Sequence, residues 1–102
     1  NCSSSGFVIG NWCAPDSDIA NAGMVMEIDG QARQIGSSAA ILGNPVRSLV
    51  AAARMVSQWG ERLEAGYIVM AGGATAAEPL AAGMSIRNTV QGLGSVSFQV
   101  EA

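Results

Sequence analysis

The chain has 102 residues, the size of one domain with a modest core. Hydrophobic residues make up 49% of it and charged residues only 13%, against about 25% charged in an ordinary globular domain. With a net charge of −3 and no lysine, it lacks the basic stripe of a nucleic-acid binder, so no nucleic acid is expected as a partner. Its short, glycine-broken apolar runs exclude a membrane span of roughly 20 residues.

So little charge implies that some surface is covered, by a partner, a second copy or further chain. The chain begins at Asn1 rather than a methionine, as a processed chain or a fragment of a longer one would. Cys2 and Cys13 are the only cysteines and there is no histidine. Two thiols make neither a disulfide scaffold nor a four-ligand zinc site, and they are expected to be free, partly buried thiols of a cytoplasmic protein.

In chain order, "NCSSSG" is a polar start that leads into Phe7-Val8-Ile9, an apolar run between glycines that predicts a short buried strand. "NWCAPDSDIANA" from Asn11 reads as a loop. Met24, Met26 and Ile28 alternate with Val25 and Glu27, and Asp29-Gly30 separates them from Gln31 to Ile35, the pattern of a tight hairpin. Pairing Ile28 with Gln31 predicts Met24 opposite Ile35. Asn44-Pro45 is a helix start, with a capping side chain followed by a proline that needs no N–H at the first helical position. Val46, Leu49, Val50, Ala53 and Val56 then recur at helical spacing, and Gly60 is a natural stop, so one main helix is expected over about 44–60.

Tyr67 to Ala71 predicts another strand, running into Gly72-Gly73-Ala74-Thr75. Met84, Ile86, Asn88 and Val90 alternate with polar residues, as do Val96, Phe98 and Val100 after a turn at 91–94. The expected fold is α+β and β-dominated, five or six strands in a mixed or antiparallel sheet with one main helix. It fills 1–102 as a single domain or as the C-terminal fragment of a larger catalytic domain.

Two stretches could carry chemistry. Gly72 and Gly73 lack Cβ, so their amides can approach a carboxylate or oxyanion, and Thr75 could add a hydroxyl; a plain turn is the commoner role for such glycines. Ser3, Ser4 and Ser5 could donate to a ligand, or simply form a frayed polar terminus. Without histidine a Ser-His-Asp hydrolase is excluded within this chain. Asp16 and Asp18 are too few oxygens for a hard cation. Glu27 and Asp29 flank a hairpin tip as solvated charges. Glu78 is the one carboxylate beside the glycine loop.

"NCSSSGFVIG", the stretch from Gly23 through "ILGNPVRSL" to "YIVMAGGATAAEPLAAG", and "GLGSVSFQV" together resemble, in order and spacing, the C-terminal part of the 2-keto-4-pentenoate hydratase / 2-oxo-3-hexenedioate (4-oxalocrotonate) decarboxylase family, of the fumarylacetoacetate hydrolase-like fold. The resemblance implies a lyase of aromatic meta-cleavage catabolism, acting on 2-hydroxy-dienoates or their 2-oxo tautomers through Mg²⁺ or Mn²⁺ as a Lewis acid. It implies that Ser4, with Ser5 as the near alternative, bonds the substrate carboxylate, that Gly73 and Thr75 line the pocket, and that Leu42 to Pro45 set the helix beside it. Members of that family carry a Glu-x-Glu pair, a third acidic ligand and a lysine before the matched region. This sequence has no Glu-x-Glu and no lysine, so no metal ligand and no bound cofactor are expected in this chain. The loop "GGATAAEPL" looks closer to decarboxylases than to hydratases. The alternative reading is a non-catalytic binding or assembly module that kept the scaffold. In either case a homo-oligomer or a missing N-terminal part would cover the apolar surface.

Overall fold

The computed structural model describes residues 5–102. Four strands form one sheet: β1 (Gly23–Ile28), β2 (Gln31–Ser37), β3 (Ser85–Val90) and β4 (Gly94–Gln99), in the order β2-β1-β3-β4, every neighbouring pair antiparallel. One helix, α1 (Pro45–Gln58), and a single 3-10 turn at Ser38–Ala40 lie between β2 and β3. This is the expected α+β, β-dominated class with one main helix, the sheet being purely antiparallel.

The β1–β2 hairpin turns at Asp29 and Gly30, both at positive φ (51° and 79°), the conformation that matches the twist of the flanking strands. Ile28 pairs with Gln31 as expected. The register then shifts by one between Met26 and Glu27: Glu27 faces Ala32 while Met26 faces Gln34. Arg33 is the extra residue of this bulge. Met24 therefore faces Gly36, and Ile35 faces Val25, which corrects the expected pairing of Met24 with Ile35. Because side chains alternate along a strand, the slip moves Ile35 to the opposite face, where it is 76% exposed, and brings Gln34 and Gly36 to the face of Met24 and Met26.

Two expected strands do not form. Phe7–Ile9 and Tyr67–Ala71 carry apolar side chains but make no ladder in this sheet. An apolar run fixes what a segment tends to bury, not which backbone it pairs with. Phe7, Val8 and Met70 instead line a cleft over one face of the sheet.

Asn44 caps α1 as predicted, its Oδ1 accepting from the Val46 N–H at 2.9 Å. The helix is tied to the 67–71 segment by Ser48, whose Oγ donates to the Ala71 carbonyl at 2.6 Å. No residue of α1 is buried, and Leu49, on its apolar stripe, is 45% exposed. The buried apolar residues among those described are Ala22, Ile28, Ile41 and Ile86. Cys13 is exposed, with its Sγ 3.4 Å from the Leu93 carbonyl, which corrects the expectation of a partly buried thiol.

Candidate functional site

Alternation puts Met24 and Met26 of β1, Ile86 and Asn88 of β3, and Val96 and Phe98 of β4 on one face of the sheet. The loop after the 67–71 segment crosses above that face, and Ser5 to Val8 close a further side. Between them lies an open cleft of about 860 Å³, within the size range of small-molecule sites. Its floor is apolar. Its polar groups are few, with Asn88 on the sheet, Ser5 at the N-terminal side, and Thr75 and Glu78 on the loop.

Two contacts fix the loop against β2. A Cβ built on Gly36 would lie 2.7 Å from the Thr75 methyl and 2.9 Å from the Ala74 carbonyl oxygen, so only glycine lets the loop approach this closely. One alternation further along the same face, the Gln34 side-chain amide donates to Glu78 Oε1. At the loop's start Gly72 has φ 120°, a backbone conformation that L side chains rarely adopt. Gly72 and Gly73 thus bring bare backbone to the cleft wall.

Of the residues singled out from the sequence, Ser5, Gly73 and Thr75 come together on this one cleft. Ser4 lies outside the described residues. The Thr75 hydroxyl donates to the Ala76 carbonyl at 3.1 Å, and its methyl is turned to Gly36. From the Leu42–Pro45 neighbourhood it is the preceding Ile41 that reaches the cleft wall. Asp18 accepts a local backbone hydrogen bond from the Ala20 N–H at 3.1 Å, and Asp29 accepts one from the Ser85 N–H at the start of β3 at 2.9 Å.

Sequence reading passed over Gln34 and Asn88. Asn88 carried a signal, as the polar member of an otherwise apolar alternating row. Gln34 carried none, since its place on this face depends on the bulge.

Among the described residues no group of three His, Cys, Asp or Glu side chains comes together in a way that could hold a metal ion. Glu78 is the one carboxylate on the cleft wall. A hard divalent cation takes about six or more oxygen ligands, so this donor set does not make a metal centre. No helix among the described residues is long and apolar enough to cross a membrane.

No protein-family model matches the chain. It is 59% identical over 98 residues to a 4-oxalocrotonate decarboxylase of a Pseudomonas species, an alignment covering 96% of this chain and 38% of that protein. A 2-hydroxyhexa-2,4-dienoate hydratase of Comamonas testosteroni is 30% identical over 101 residues, covering 97% of this chain and 38% of the hydratase. Among solved structures, the 4-oxalocrotonate decarboxylase of Pseudomonas putida G7 in complex with magnesium and adipate superposes with a TM-score of 0.78 at 42% identity, over 81% of this chain and 32% of that one. Over nearly its whole length, by sequence and by fold, the chain is similar to one part of 4-oxalocrotonate decarboxylases and related dienoate hydratases, and it spans a little over a third of the length of the curated relatives it matches.

Proposed function

We propose that this chain is the C-terminal portion of a cytoplasmic, Mg²⁺- or Mn²⁺-dependent lyase acting on 2-oxo or 2-hydroxy dienoic acids of aromatic meta-cleavage catabolism, with decarboxylation ahead of hydration. The observation that carries this reading is the convergence of Ser5, Gly73 and Thr75 on one apolar cleft. The higher identity to the decarboxylase, 59% against 30% for the hydratase, favours decarboxylation.

In this reading the residues of the chain bind and orient rather than make or break bonds. Backbone at Gly72 and Gly73, with the hydroxyls of Ser4 or Ser5, receives the carboxylate of the 2-oxo acid, as exposed amides and hydroxyls suit an anion. The methionine and phenylalanine floor takes the unsaturated carbon chain and keeps water from it. The divalent metal belongs to carboxylates outside this chain, and the remainder of the enzyme or a second copy covers the apolar surface left open here.

Oxalate, a small mimic of the 2-oxo-acid head, tests the division of labour by calorimetric titration into the chain with and without Mg²⁺. Once the heat of oxalate binding Mg²⁺ without protein is subtracted, the expected heats are the same in both. Tight oxalate binding that appears only with Mg²⁺ would place a working metal centre within this chain and contradict the assignment.

A further inference from the structure

We propose that Gln34 is a positioning residue of the cleft, acting through Glu78 to hold the 72–78 loop in the shape that faces the ligand. The proposal rests on the cleft being the ligand site, as proposed above.

The geometry begins with the bulge in β2. Without it, Gln34 would share a face with Val25, and Ile35 would stand opposite Met24. The extra residue Arg33 turns Ile35 outward and delivers Gln34 and Gly36 to the cleft face, beside Met26 and Met24. Bulges re-aim side chains, and here the two re-aimed residues are the two that meet the loop. Gly36 accepts the backbone of Ala74 and the methyl of Thr75, and Gln34 donates to Glu78.

These contacts divide the work. Gly36 provides room and no attraction. The Gln34 amide supplies a directed bond to a carboxylate, a stronger class of hydrogen bond than a neutral pair. Glu78 is half-buried and lines the cleft, whereas Gln34 does not reach the cleft wall. Gln34 therefore touches no ligand and acts on it only by fixing the loop. At its other end the loop is held by Ser48 on the Ala71 carbonyl. Between Ala71 and Glu78 the glycines leave the backbone free to move unless both ends are held.

Backbone amide NMR relaxation on the full chain tests this without any ligand. Three proteins are compared: the unaltered chain, Gln34→Ala, and the double variant Gln34→Glu/Glu78→Gln, in which an amide on residue 78 can again donate to a carboxylate on residue 34. In Gln34→Ala the order parameters of residues 72–78 are expected to fall from about 0.85 to below about 0.6, while those of β1 and β3 stay unchanged. The double variant is expected to restore them.

Loop order parameters unchanged in Gln34→Ala would overturn the proposal. So would a fall spread equally over the sheet, which would mark a general loss of structure, or a double variant as mobile as Gln34→Ala, which would assign the effect to the charge of Glu78. Failure of the ligand reading shows separately, as lost carbon dioxide release when this segment replaces its counterpart in the 59%-identical decarboxylase, and leaves this readout intact.

Discussion

Ser38 is the most deeply buried polar residue described, at 2% exposure. Its hydroxyl accepts from the Ala22 N–H at 2.7 Å and donates to the Ile19 carbonyl at 2.6 Å, so one side chain closes the segment before β1 onto the end of β2. Ser38→Ala removes both hydrogen bonds and leaves the buried Ala22 N–H without its partner, and an orphaned buried group costs about 1–3 kcal/mol. The expected result is a lower urea midpoint with an unchanged slope, because the surface exposed on unfolding stays the same. A midpoint within error of the unaltered protein would mean that water replaces the hydroxyl. Nothing in "GSSAA" distinguishes Ser38 from Ser37, since the difference arises from the packing of residues 19–22, which are distant in sequence. Gly73 and Thr75 were singled out by the family resemblance, since a glycine pair after an apolar run is by itself more often a plain turn, and the structure has both on the cleft wall. Gln34 was not, because its face depends on one inserted residue, Arg33, three positions past the turn.

At the scale of elements, local chemistry was readable and long-range pairing was not. The Asp29-Gly30 turn and the Asn44-Pro45 helix start follow from backbone preferences of single residues, and the structure has both. Asn44→Ala is expected to cost about 1 kcal/mol through loss of the cap on Val46, measured as a lower unfolding midpoint; Asn44→Ser is expected to retain most of the stability. Equal losses in both variants would show that the cap is not the source. Phe7–Ile9 and Tyr67–Ala71 looked like strands because extended apolar segments share one signature whether or not a ladder forms. Whether such a segment pairs depends on topology that no local pattern encodes.

On the scale of the whole molecule, the chain exposes 7742 Å², whereas a folded monomer of its mass exposes about 5,400 Å². Its radius of gyration is 14.9 Å against about 13 Å for a compact domain of this length. Large apolar side chains stand exposed, among them Leu49 and Val50 of α1, Tyr67, and Met70 beside the cleft. The low charge of the sequence had pointed to covered surface, and the thin core gives that inference its physical form. So much open apolar surface suits the proposal that further protein or a second copy covers it. The proposal that this chain supplies one wall of a 2-oxo-acid site is tested most directly by exchange. The aligned segment of the 59%-identical decarboxylase is replaced by this chain, and carbon dioxide released from 2-oxo-3-hexenedioate is measured. The account predicts release within about tenfold of the parent enzyme, a loss of no more than about 1.4 kcal/mol in barrier. A chimera that folds and assembles like the parent but releases no carbon dioxide would contradict it.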